Sequence, residues 1–169
     1  FIKTFNYIAH LKMSSEFNNL NNIDLNKIPD ASNFKFGIVV SKWNREITDN
    51  LLKGCIDLLK SKGTLDININ ILKVPGSFEL IYGCKKMQQE DVNAIIAIGS
   101  VIRGETKHFD FICNATSNGI KDLNLSGNIP VIFCVLTDEN MEQAIDRSGG
   151  KFGNKGTESA IAAIEMAAI

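Results

Sequence analysis

The stretch RGETKH, residues 103–108, joins an apolar run, AIIAIGSVI, to an apolar-periodic segment, FDFICNATSNGIKDL. It holds His108, one of two histidines in the chain; the other, His10, lies far back in a polar leader. A glycine-containing turn ahead of a helix presents backbone amides, and Thr106 adds a hydroxyl, so this turn suits a phosphate. His108 at its end offers an imidazole, the side chain matched to proton transfer near neutral pH. Each feature alone is weak, because many such turns bind nothing and a lone histidine is more often structural.

Other polar stretches carry groups of the same kind. SKWNRE contains Trp43, the only tryptophan. It either packs over a sheet edge or offers a stacking face to a planar ligand. VPGSFE brings helix N-terminal amides around Ser77, a second aromatic in Phe78, and Glu79. Glu79 either compensates a helix dipole or accepts hydrogen bonds from ligand hydroxyls. DRSGGKFGNKG spaces Arg147, Lys151 and Lys155 among four glycines. That stretch is either a solvated basic linker or an anion clamp in which Arg147 grips a phosphate through two N–H groups.

The elements that must position these groups follow from periodicity. FKFGIVV reads as a first strand. REITDNLLKGCIDLLKSKG sets Ile47, Leu51, Leu52, Cys55, Leu58 and Leu59 on one helical face, and Gly63 stops the helix. LDININILKV alternates through Ile67, Ile69 and Ile71 as a second strand; PGSFELIYGCKKMQQ reads as a helix from Pro75. NAIIAIGSVI is too continuously apolar for a one-sided sheet, so it is a central parallel strand covered on both faces. A third helix repeats Phe109, Ile112, Cys113, Ile120 and Leu123; PVIFCVL is the fourth strand. TDENMEQAIDRSGG is a helix capped by Thr137 or Asp138, and NKGTESAIAAIEMAAI is the last helix. This alternation predicts a three-layer α/β fold: an open parallel four-stranded sheet of flavodoxin-like order 2-1-3-4 with helices on both faces. In such sheets ligands bind beyond the carboxyl ends of the strands, where the polar stretches fall.

Composition bounds the rest. The 169 residues, 44% hydrophobic, make one globular domain with a sizeable core. Eighteen Lys and Arg against nineteen Asp and Glu leave a net charge of −1, so neither nucleic acid nor membrane is an expected partner. Cys55, Cys84, Cys113 and Cys134 form no C-x-x-C pair and sit in apolar runs, as buried free thiols do; a zinc site is not expected. Residues 1–33 read as an Asn- and Ser-rich leader or arm ahead of a domain at 34–169, with Met13 as a candidate native start. The expected location is cytoplasmic, or plastid if the leader is a transit remnant.

These stretches together resemble the lumazine synthase family. The carriers are VVSKWNREIT, VPGSFELIYG, IGSVIRGETKHFDFICN, IPVIFCVLTDENMEQAIDRSG and GNKGTESAIAAIEM, in family order over about residues 34–168. The resemblance implies an enzyme of the penultimate step of riboflavin biosynthesis. Without a cofactor, it joins 5-amino-6-(D-ribitylamino)uracil to 3,4-dihydroxy-2-butanone 4-phosphate and releases phosphate and water. By the same resemblance Trp43 covers the pyrimidine ring, where the family usually has Phe. Ser77, Phe78 and Glu79 take the ribityl chain, and Ser100, Val101 and Ile102 read the ring through their backbone. Glu105 and Thr106 hold the phosphate, and His108 transfers protons. Phe133 and Arg147 come from a neighbouring subunit, the first over the ring and the second on the phosphate, with Lys155 a nearby basic residue. The implied assembly is a homopentamer, with a decamer or an icosahedral shell of sixty as larger alternatives and riboflavin synthase as an associate. The Ala-rich last helix and a sheet-edge arm are surfaces expected to pair copies. Rival readings are an archaeal-type riboflavin synthase, a flavin-binding module without turnover, and a pure cage.

Overall fold

The computed structural model describes residues 24–169. Four parallel strands run β1 (Phe36–Ser41), β2 (Ile69–Val74), β3 (Ala94–Ile102) and β4 (Val131–Asp138), in the order β2-β1-β3-β4. The predicted architecture and strand order are therefore those observed. β3 lies inside the sheet and splits its side chains between two cores. Ile96 and Ile98 meet α1 (Arg45–Ser61) and α5 (Lys155–Ala167) on one face. Ile95 and Ala97 meet residues of α2 (Leu80–Met87) and α3 (His108–Ser126) on the other. A strand covered on both sides must be apolar at every position, and that is the reason for its unbroken run.

Helix α1 buries Ile47, Leu51, Cys55, Leu58 and Leu59 as its spacing predicts, and Gly63 follows it at φ 96°, a left-handed conformation glycine adopts without penalty. Leu52 is only partly buried.

Four local expectations are corrected. Helix α2 starts at Leu80, not at Pro75. The Ser77 carbonyl accepts from Thr116 Oγ1 at 3.3 Å, and a Cβ on Gly99 would sit 2.8 Å from Ser77 Oγ. The segment is thus pinned to α3 and β3 as a turn. Strand two begins at Ile69; Ile67 falls in a 3-10 turn, Asp66–Asn68, and is 91% exposed. Helix α4 (Met141–Arg147) is capped by Asn140, whose side chain accepts from Gln143 N–H, because Thr137 and Asp138 continue β4 opposite Val101 and Ile102. Finally, SGGKFGNKG contains a small hairpin, β5 (Ser148–Gly150) with β6 (Gly153–Asn154), turned by Gly149 and Gly153 at positive φ.

The Ala-rich face of α5 is not a spare surface. Ala160, Ala163 and Ile164 are fully buried, and a Cβ on Gly156 would lie 1.9 Å from the Leu51 carbonyl oxygen. Small residues let α5 approach the backbone of α1, so this face is spent inside the fold. Part of the expected leader also packs: Ile28 and Ala31 join the core, and Ala31 N–H donates to the Lys62 carbonyl at 2.8 Å. The candidate start at Met13 lies outside the described residues. Among the described residues, no helix is long and apolar enough to cross a membrane.

Candidate active site

In this strand order the crossover direction reverses between β1 and β3, and a crevice opens at their carboxyl ends. A cleft of about 630 Å³ occupies it, walled by the turns after β1, β2 and β3. Of the residues singled out by sequence, Trp43, Ser77, Phe78, Glu79, Ser100, Val101, Ile102, Thr106 and His108 line this one cleft.

Each is held by its element. Trp43 is 70% exposed, with its backbone N–H donating to Ser41 Oγ at 3.2 Å. Asn44 follows at φ 52°, the only described residue other than glycine at positive φ. Its Nδ2 donates to the Ser100 carbonyl at 2.9 Å and ties the β1 turn to the end of β3. Asn44 lines the cleft and was missed by sequence; an Asn directly after a strand, a type that tolerates the left-handed region, was the available signal. Phe78 is 52% exposed, so two large aromatics stand in solvent around one crevice. A Cβ on Gly76 would lie 3.0 Å from Glu79 Oε2, which puts that carboxylate back over the turn.

The N–H groups of residues 104–107 donate to no described residue, and His108 N–H takes Thr106 Oγ1 at 3.3 Å. Helix α3 begins at His108, so this turn lies at its positive end. Glu105 is exposed in this turn but does not line the cleft.

Phe133, Arg147 and Lys155 are not in this cleft. They line a second one of about 480 Å³, between β4, α4 and the start of α5. Phe133 is 41% exposed. Arg147 Nη1 donates to the Gln143 carbonyl at 3.1 Å and lies 3.7 Å from Asp138 Oδ1. Lys155 Nζ pairs with Glu158 Oε2 at 2.6 Å. Asp138, Gln143 and Glu158 are additions to the sequence reading. Asp138 is buried with Oδ2 unpartnered, and burial raises its pKa while Arg147 opposes the rise.

The 6,7-dimethyl-8-ribityllumazine synthase family model matches residues 33–169. The chain is 62% identical to the 6,7-dimethyl-8-ribityllumazine synthase of Christiangramia forsetii over 157 residues, 92% of this chain and 94% of that protein. It is 59% identical to that of Flavobacterium johnsoniae, covering 93% and 83%. It is 47% identical to that of Porphyromonas gingivalis, covering 93% and 98%. The chain belongs to the 6,7-dimethyl-8-ribityllumazine synthase family. It is accordingly an enzyme, a transferase of riboflavin biosynthesis.

All four cysteines are free thiols. Cys55, Cys84 and Cys134 are buried, and burial pushes Cys84 up to about 12 and Cys134 to about 11. Cys113 is partly exposed, and its thiol too is raised, chiefly by burial. Among the described residues no group of three His, Cys, Asp or Glu could hold a metal ion.

Proposed function

We propose that this chain condenses 5-amino-6-(D-ribitylamino)uracil with 3,4-dihydroxy-2-butanone 4-phosphate to 6,7-dimethyl-8-ribityllumazine. The observation that carries the reading is one crevice combining exposed aromatics, a carboxylate over a turn, uncommitted amides and an imidazole. Trp43 stacks on the pyrimidine. Ser100, Val101 and Ile102 meet its edge, and Ser77, Phe78 and Glu79 take the ribityl chain. Thr106, with the amides around Glu105, holds the phosphate.

The 5-amino group adds to the ketone and water leaves, forming an imine. Loss of the proton from the hydroxyl-bearing carbon next to the imine expels phosphate with the C–O bonding pair and leaves an enol, which moves its hydroxyl proton to the terminal carbon and becomes a methyl ketone. The ribitylamino nitrogen then attacks this new carbonyl, and a second water leaves as the ring closes. No step changes the net oxidation state, so the reaction needs no redox partner, and proton transfer and positioning can carry it. His108 carries protons beside the departing phosphate. Holding two substrates together supplies much of the acceleration.

The second cleft fits the same reaction on a neighbouring copy. Phe133 and Arg147 share no cleft with His108 in one chain, which supports a site built from two subunits. We assign them to the site of the next subunit in a ring of five, with Lys155 beside them. Further stacking of rings into a shell is read from the particle mass.

The test is formation of the product's visible absorbance from the two substrates. Formation of riboflavin from the lumazine alone, with no lumazine synthesis, would overturn the reading. His108→Ala is expected to slow turnover by roughly 10- to 100-fold, at the low end for acid–base loss because positioning survives. Unchanged turnover with chemistry rate-limiting removes His108 from the mechanism. Trp43→Phe is expected to be nearly silent. Trp43→Ala should weaken binding of the pyrimidine by roughly 5- to 150-fold, the range of base–aromatic stacking. Product should also quench the emission of this single tryptophan. Emission untouched at saturating product contradicts the stack.

A further inference from the structure

The turn proposed to hold phosphate is the least supported wall of its cleft. None of residues 103–108 is buried, and a Cβ on Gly104 would meet nothing within 4 Å. A row of amides serves an anion only if its geometry is fixed before the anion arrives. One side chain supplies the fixing. The Arg103 backbone N–H donates to the Asp138 carbonyl at 2.9 Å, which anchors the start of the turn to β4. Its guanidinium then reaches across the turn. Nη1 lies 3.2 Å from Asp110 Oδ1 in the first turn of α3. Nε lies 2.8 Å from Glu139 Oε2 in the β4–α4 turn. The guanidinium carbon sits 4.1 Å from the ring centre of Phe109, which is 8% exposed.

We propose that Arg103 is a positioning residue: it clasps both ends of the 103–108 turn and holds its amides and Thr106 in shape for the phosphate. The proposal rests on the reading of this turn as the phosphate site. Isolated surface ion pairs hold little geometry. Arg103 differs because a planar fork joins two carboxylates on two elements while stacked on a buried ring. A lysine is a point charge and cannot span both carboxylates on that ring. The bonds also run on toward the second cleft. Glu139 N–H donates to Gln143 Oε1 at 3.0 Å, and the Gln143 carbonyl accepts from Arg147 at 3.1 Å. The turn and the arginine proposed for phosphate thus hang on one chain of contacts.

Lys107 places a tryptic site inside the turn and gives a readout independent of catalysis. In Arg103→Ala, cleavage of the full chain after Lys107 is expected to accelerate by roughly tenfold, with the thermal midpoint nearly unchanged. The KM for 3,4-dihydroxy-2-butanone 4-phosphate should rise by about tenfold, and that for the ribitylaminouracil by less than about twofold. Arg103→Lys should fall between. Should Arg103→Ala not fold, Glu139→Gln removes one arm of the clasp in an isosteric side chain, with about a threefold change in both readouts expected. Unchanged cleavage overturns the clasp whatever the activity. Faster cleavage with both KM values unmoved, or moved together, overturns the positioning role. If the wild type makes no lumazine, the proposed function fails instead; cleavage after Lys107 still decides the clasp, and inorganic phosphate binding, reduced by Arg103→Ala or not, decides the positioning.

Discussion

Arg147→Ala is expected to weaken 3,4-dihydroxy-2-butanone 4-phosphate by roughly 10- to 150-fold while leaving the ribitylaminouracil nearly unaffected. The range corresponds to about 1.5–3 kcal/mol for a charge-assisted hydrogen bond. The geometry accounts for the selectivity. Nη1 of Arg147 is committed to the Gln143 carbonyl and lies beside Asp138, whereas Nε and Nη2 donate to no described residue. That free edge is the one proposed to grip two oxygens of a phosphate. The variant should also expose the role of Asp138, whose folded pKa is raised by burial and held back by Arg147. A carboxyl with a raised folded pKa costs stability once the pH passes its unfolded value of about 4, and costs nothing below it. Without Arg147 the cost grows, so Arg147→Ala should lose more thermal stability at neutral pH than at pH values below about 4. Substrate titrations and melts at two pH values measure both. Equal weakening of the two substrates would mean that Arg147 supports the fold rather than the phosphate.

What was legible in the sequence and what was not divides along the range of the interactions. The continuous run of β3 announced a strand covered on both faces, and the Ile47 to Leu59 spacing announced the buried stripe of α1, because both patterns are local records of a surrounding core. Trp43, Phe78, Thr106 and His108 were legible as site candidates because each sits in a turn after a strand. The start of α2 was not, since it depends on Thr116 reaching Ser77 from 39 residues away. Thr137 and Asp138 look like helix caps until their pairing with β3 holds them in the sheet. The alanines of α5 look like an outer surface until α1 is seen against them. Arg103 was hidden for the same reason: its partners Asp110 and Glu139 are unremarkable charges that only the fold brings to one guanidinium. The separation of Phe133, Arg147 and Lys155 from the first cleft cannot be read from residue types, although the family resemblance implied it for Phe133 and Arg147.

That separation makes the shared site the central claim, and mixing two damaged proteins tests it most directly. His108 and Arg147 line different clefts, and on the shared-site proposal each alanine variant removes one half of a site. If each working site joins one subunit's first cleft to the next subunit's second, random mixing restores both residues in about a quarter of sites, by the head-to-tail symmetry of a ring. The variants are unfolded together in equal amounts and reassembled. Lumazine formation is then followed at a low concentration of the phosphorylated substrate, where each parent is severely impaired. The predicted result is activity near a quarter of that of wild-type protein reassembled in the same way. Activity no higher than the average of the two parents, in rings verified to contain both variants, would contradict the shared site.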